Sequence, residues 1–362
     1  MRRAGPRGRG PPPPRDRGTA STGRGRRPAV KLSEIGEFGL IARFSPAFLK
    51  RLPEGVVGIG DDCAVLPWRR GERLLVTTDM LVEDSHFLRK EIAPRDLGDK
   101  SLAVNLSDIA AMGGRPRWAF LSLGIPAGVE VEWIDEFFRG LARAARPAAV
   151  RLVGGDTTKS PDRLVVNIAV VGTVRAGRVK TRSGARMGDV IAVTGNLGDS
   201  GGGLRVLLER RRRGRDENFL VRAHHRPRPH LDEGAWLAAR PGVTAMMDVS
   251  DGIDSDLHRI MERSRCGAAV ELERLPLSKP LRRCAAKYGW DLYEVAASGG
   301  EDYCLLAAID PKSFASVAAG FKRRFGRPLA AVGGITPARR GLSYRLSGVP
   351  VRLGRGGFDH FK

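Results

Sequence analysis

Four cysteines in 362 residues, none in a CxxC pair, give no disulfide framework and no thiolate zinc cluster. Cys63, Cys266, Cys284 and Cys304 read as small packing residues, and a reducing, cytoplasmic compartment is expected. Histidine is scarce too, with six in the chain, and His224-His225 beside Arg226 reads as a surface pair. The apolar runs, such as Val165 to Val171, are strand-length and too short to cross a bilayer, so no membrane partner is expected. No apolar segment follows the N-terminal charges, so no secretory signal is expected. No Walker A loop occurs, no GxGxxG fingerprint follows a strand, and the Ser298-Gly299-Gly300 stretch is no GxSxG elbow. A P-loop ATPase and a dinucleotide-binding fold are thereby disfavoured, and a nucleophilic triad lacks support.

What is abundant is positive charge, formally +22. Residues 1–30 hold nine Arg and one Asp among glycines and prolines, including Pro11-Pro12-Pro13-Pro14. Such a segment cannot offset its ordering entropy, so disorder is expected there. An Arg/Gly tail attracts RNA, yet this one lacks interleaved aromatics for base stacking, so nucleic-acid binding is the weaker reading. The run Arg210-Arg211-Arg212-Arg213 reads as a surface connection. The remaining charge reads as a general arginine bias.

Folded sequence begins near Lys31, with a helix start at Ser33. Leu74 to Val76 reads as a strand. Residues from about Arg95 to Met112 read as a helix with one apolar stripe, stopped by Gly113-Gly114. Ala119 to Leu123 and Leu164 to Val174 are strand-like, and Trp133 to Ala145 is an amphipathic helix. A second unit starts near Gly177. Its strands Val190 to Thr194 and Ala245 to Val249 precede loops, and a helix carries Ile253, Leu257, Ile260 and Met261. The Gly195 to Gly203 stretch reads as a loop before a helix from Leu204. It is a candidate phosphate cradle, with a flexible linker as the alternative. The pattern predicts two mixed α/β (α+β) domains: tail 1–30, first domain 31–176 and second domain 177–362.

Against the basic background stand five short acidic motifs. They are Gly60-Asp61-Asp62, Thr77-Thr78-Asp79, Asn105-Leu106-Ser107-Asp108, Gly154-Gly155-Asp156-Thr157 and Asp248-Val249-Ser250-Asp251-Gly252. Carboxylate and hydroxyl oxygens suit Mg²⁺, and glycine lets backbone approach a phosphate. Thr77 and Asp79 share a strand face. Asn105 and Asp108 share a helix face beside the apolar stripe, where an unpaired charge is costly. Each motif alone fits a turn or a cap as well, and Asp251 is a plausible N-cap. Gathered together, such carboxylates would repel one another unless cations held them. The set points to several Mg²⁺ ions bridging a polyphosphate.

These stretches also carry a resemblance. Gly58-Ile59-Gly60-Asp61-Asp62-Cys63-Ala64, Ala103 to Gly113, Gly154 to Thr158 and Ser298-Gly299-Gly300-Glu301-Asp302-Tyr303 resemble the thiamine-monophosphate kinase family. That family shares a superfamily with aminoimidazole ribonucleotide synthetase and selenophosphate synthetase. The likeness runs from Gly36 to Phe361, nearly everything after the tail. It implies two α/β domains with a cleft between them, and a homodimer joined through N-terminal sheets in a shared barrel. It implies ATP and thiamine monophosphate as substrates, with thiamine diphosphate as product. By this resemblance Asp62, Thr77, Thr78, Asp79, Asp108, Asp156, Asp248 and Asp251 hold Mg²⁺. Gly155, Asp156, Arg182 and Ser250 contact ATP, while His86, Glu301 and Phe358 lie by the thiamine phosphate. Asp79, Asp251 and Arg182 are the catalytic candidates. The acceptor is a phosphate oxygen, already nucleophilic at neutral pH, so direct in-line transfer without a phosphoenzyme is expected. A selenophosphate synthetase would want a reactive Cys near a Gly-rich N-terminal loop, and Cys63 does not fit that place.

Overall fold

The computed structural model describes residues 32–50 and 52–354. The 1–30 tail and Phe358 lie outside the described residues. Helix α1 (Leu32–Leu49) is kinked at Gly36. The first sheet is built from β1 (Ala64–Pro67), β2 (Glu72–Val82), β3 (Arg115–Pro126), β4 (Arg151–Ser160) and β5 (Val165–Arg175), in the order β1-β2-β5-β3-β4. Helix α2 (Pro94–Ala111) precedes β3, and α3 (Val131–Ala148) joins β3 to β4. The β3–β4 pair is parallel, as its helical crossover requires, and the other pairs are antiparallel.

Side chains alternate across each strand of this sheet. Leu75, Leu81, Leu121, Leu123, Val166 and Ile168 point to one buried face. Met80, Trp118 and Phe120 stay exposed. The Gly154-Gly155-Asp156-Thr157 stretch is the middle of β4, and residues 151–159 are all exposed.

The second sheet has seven strands, β6 (Val190–Val193), β7 (Val243–Asp248), β8 (Gly267–Glu271), β9 (Leu305–Ile309), β10 (Ala330–Thr336), β11 (Leu342–Leu346) and β12 (Val349–Val351). Their order is β12-β11-β8-β10-β6-β9-β7. Helices α4 (Asp199–Leu208), α5 (Arg215–His225), α6 (Leu231–Ala238), α7 (Ile253–Ser264), α8 (Lys279–Tyr288), α9 (Leu292–Ser298) and α10 (Pro311–Phe325) complete this half. β9 is buried along its whole length because both faces are covered. Leu306 and Ala308 feed the core with Ile253 and Leu257 of α7. Leu305, Ala307 and Ile309 feed the opposite core with Phe321 of α10.

Helix α2 departs from its expected single stripe. It is buried on almost every side, Ser101, Asn105 and Ser107 included. One flank meets α3, where a Cβ on Gly140 would lie 1.8 Å from the Arg95 carbonyl oxygen. Another meets α6, where a Cβ on Gly234 would lie 2.1 Å from the Ala110 carbonyl oxygen. Glycine therefore lets two helix backbones close on α2, which is wedged between the two halves. No helix among the described residues is long and apolar enough to cross a membrane.

Candidate active site

The carboxylates meet where α2 joins the halves. Asp62 comes from the turn before β1, Asp108 from the last turn of α2 and Asp248 from the end of β7. One oxygen of each lies within 4.8 Å of the others. Asp79 is on the inner face of β2, as its alternation with Leu75 and Leu81 requires. Thr77, on that face, donates its hydroxyl to Asp108. Ser107 donates to Asp248 Oδ2 at 2.5 Å, a bond from the first half to the second.

Arg182 closes one side. Its guanidinium lies 2.9 Å from Asp62 Oδ1, and its backbone N–H donates to Asp61 Oδ1 at 2.7 Å. The adjacent acids thus take separate jobs on one arginine. Burial opposes the Arg182 charge, but Asp62, through its charge and hydrogen bond, outweighs burial and holds the guanidinium protonated.

The cluster is electrostatically tense. Burial, then Asp251, pushes the Asp79 carboxyl up to about 6. Burial, then Asp79, Asp248 and Asp62, pushes Asp108 well above the usual carboxylate range against its Thr77 bond. Burial and Asp62 do the same to Asp248. Asp256 of α7, a residue the sequence motifs passed over, is pushed up by burial, Asp251 and Asp248. Asp62 Oδ2, Asn105 Oδ1 and Asp256 Oδ2 are buried acceptors without a hydrogen-bond partner. Converging hard oxygens with an orphaned acceptor among them fit a divalent cation such as Mg²⁺.

The chain is 39% identical over 330 residues to the thiamine-monophosphate kinase of Escherichia coli K12, covering 90% of this chain and 98% of the relative. This chain belongs to the thiamine-monophosphate kinase family. The Bacillus subtilis member is 34% identical over 279 residues, 76% of this chain and 84% of the relative. The AIR synthase related families match as an N-terminal domain over residues 60–174 and a C-terminal domain over 186–341. Among solved structures, the AaThiL complex with AMPPCP and TMP superposes with a TM-score of 0.79 at 33% identity, covering 92% of this chain and all of that one. The thiamine monophosphate kinase of Stenotrophomonas maltophilia gives 0.71 at 34% identity, covering 88% and 98%.

Within this family fold not every expected ligand converges. Thr78 lies on the opposite, exposed face of β2, where it accepts from Asn167 Nδ2 at 3.0 Å. Asp156 aligns across the sheet with Ser122, Asn167 and Met80, a row on the outer face. Three strand spacings, about 14 Å, separate β4 from β2. The Asp156 carboxylate accepts from the Thr157 N–H and is not among the three converging acids. Period-2 alternation through Thr77, Thr78 and Asp79 and the strand nature of residues 151–160 account for both departures. Asp251 does not cap α7, since Gly252 holds the N-cap position with φ 98°. Asp251 is half-buried and acts by its charge on Asp79 and Asp256. The Ser250 carbonyl accepts the Glu301 N–H at 2.6 Å. His86 stands in the turn after β2, its Nδ1 accepting from the Val82 N–H at 3.0 Å.

Two further expectations fail. The Gly195 to Gly203 stretch is half helix, because α4 already begins at Asp199. The first N–H groups there are taken by Asp302, whose carboxylate accepts from Gly198 N at 2.6 Å and Ser200 N at 3.3 Å. An internal carboxylate thus fills the place suggested for a phosphate. His224 and His225 are buried rather than a surface pair. His224 Nδ1 lies 3.0 Å from Glu301 Oε2. Lys100, completely buried, also reaches Glu301. Nothing local marked Lys100 in the sequence, since α2 also carries Arg95, Asp96, Asp99 and Asp108.

Proposed function

We propose that this chain transfers the γ-phosphoryl group of ATP to thiamine monophosphate, giving ADP and thiamine diphosphate. The observation that carries the reading is the convergence of Asp62, Asp108 and Asp248 from both halves, in a chain of this family. The complex of a relative with the ATP analogue AMPPCP and TMP supports the substrate pair.

Asp62, Asp79, Asp108, Asp248 and Asp251, with the Thr77 hydroxyl, would hold the Mg²⁺ ions. When bound, those ions neutralise phosphate charge and fix the geometry of transfer. Thr77 and Ser107 orient the Asp108 and Asp248 carboxylates by donating to them. Arg182, held by Asp61 and Asp62, supplies a fixed positive charge for the phosphoryl group. Gly155 and Ser250 are proposed contacts for ATP. His86, Glu301 and Phe358 are proposed for thiamine monophosphate. The acceptor oxygen is already nucleophilic, so no side chain needs to act as a strong base. We place the domain division at residues 176/177 and the enzyme in the cytoplasm. The deciding assay mixes the purified chain with Mg²⁺, ATP and thiamine monophosphate. Thiamine diphosphate and ADP in equal amounts are expected, and the absence of product overturns the reading.

We also propose a homodimer built on the outer face of the first sheet. Met80, Trp118 and Phe120 are 54%, 37% and 45% exposed there, and Val153 on the edge strand is 52% exposed. A monomer seldom leaves such an apolar group open. Asp156 belongs to this face, so pairing would place it at the interface. Phe120→Asp should turn a dimer into a monomer by light scattering. A monomeric wild type at micromolar concentration would refute the proposal.

A further inference from the structure

Lys100 lies on the inner length of α2 with no exposed surface. Its Nζ is 2.9 Å from both oxygens of Glu301. His224 Nδ1 approaches the same carboxylate at 3.0 Å and the Ser200 hydroxyl at 3.0 Å. Burying an ammonium is costly relative to an apolar side chain of similar size, so a lysine here needs a reason beyond packing.

The Glu301 backbone is constrained as well. Gly300, Glu301 and Tyr303 all have positive φ, at 58°, 56° and 48°. For the two non-glycine residues this conformation carries strain that the surroundings must hold. Glu301 N–H donates to Ser250 O at 2.6 Å, and Tyr303 N–H donates to Val249 O at 2.8 Å. Val249 and Ser250 belong to the turn that carries Asp248 and Asp251. Glu301 is therefore fixed to the acid-bearing turn by its backbone and to α2 by its side chain. Its side chain retains 24% exposure, against 0% for Lys100 and 6% for His224. The carboxylate is the one member of the triad that opens outward.

We infer that Lys100 and His224 are positioning residues that aim the Glu301 carboxylate at thiamine monophosphate. The inference rests on the proposed reading of Glu301 as a substrate contact. Burial keeps His224 below its ordinary pKa despite the carboxylate, so it serves as a neutral hydrogen-bond donor while Lys100 supplies the charge. Burial favours a neutral Glu301, but Lys100 and then His224 outweigh it and keep the group ionised. The pair Lys100–Glu301 is neutral as a unit, so Glu301 meets substrate as an oriented acceptor rather than an uncompensated charge.

Steady-state kinetics of the full chain with Mg²⁺ test this, using Lys100→Met, Glu301→Gln and the double variant. Lys100→Met and Glu301→Gln should each raise KM for thiamine monophosphate about tenfold, with KM for ATP changed less than about twofold. The double variant should resemble Glu301→Gln alone, because the lysine has then lost its task. If Glu301→Gln leaves KM for thiamine monophosphate unchanged, the substrate reading of Glu301 fails and the inference with it. If Glu301→Gln raises that KM and Lys100→Met does not, the positioning role is overturned while the substrate reading stands. Equal rises in both KM values would mark a structural tie and also overturn it. Should Lys100→Met not fold, the double variant decides, since a further rise beyond Glu301→Gln contradicts the inference.

Discussion

Asp108→Asn should lower kcat/KM by about 10³-fold or more and, in EDTA, raise Tm. Asparagine keeps the shape of the side chain and can still accept from Thr77. It removes one negative charge from three acids whose oxygens lie within 4.8 Å. A preorganised group that stabilises a phosphoryl transition state is worth roughly 10²–10³ in rate, and losing cation affinity adds to that. The stability change has the opposite sign. Without cations, burial and then Asp79, Asp248 and Asp62 all disfavour a charge on Asp108, so a neutral side chain there removes that cost. Melting in EDTA and kinetics at saturating Mg²⁺ separate the effects. A variant that retains more than about a tenth of wild-type activity, against that 10³-fold expectation, would remove Asp108 from the machinery.

Metal removal should make stability fall as pH rises. Asp79 has its folded pKa raised to about 6 from 3.8. A shift of that size corresponds to about 3 kcal/mol between protonation states. Below pH 3.8 the carboxyl is protonated folded and unfolded, and its full contribution is present. Between there and about 6 the unfolded chain loses the proton first, so the contribution is lost with rising pH. Burial and neighbouring carboxylates push Asp108, Asp248 and Asp256 up as well, which adds to the decline. In EDTA, Tm should drop by several degrees between about pH 4 and about pH 6. Mg²⁺ should flatten the slope, because it binds the ionised acids. A flat profile in EDTA would mean that the cluster is not strained.

The acidic motifs and the alternation of the central strands were legible because both are local. Leu74 to Val76 and Leu164 to Val174 carry their period on their face, and Asp79 falls on the inner side by counting. The α2 stripe was read too narrowly. Its small polar residues look solvent-facing until a second domain covers them, and nothing local records that cover. The same blindness hid Lys100 and His224, whose partner Glu301 is 201 residues beyond Lys100. The glycine loop misled for a related reason. Its helical start and its occupation by Asp302 both depend on a segment a hundred residues away. Asp156 was grouped with the metal ligands by resemblance, and only strand register put it on the outer face.

The burial of α2 on nearly every side has a consequence for how this protein can be inherited. A helix that serves as core for two sheets belongs to neither half alone. Cutting the gene near codon 176 would strip α2 of α6 and β7 and leave Ser107 without Asp248. The halves are therefore a poor substrate for shuffling or separate expression, and the acids cannot be assembled by mixing parts from different chains. Two domains by shape are expected to unfold as one cooperative unit in a denaturant titration, with α2 as the shared keel.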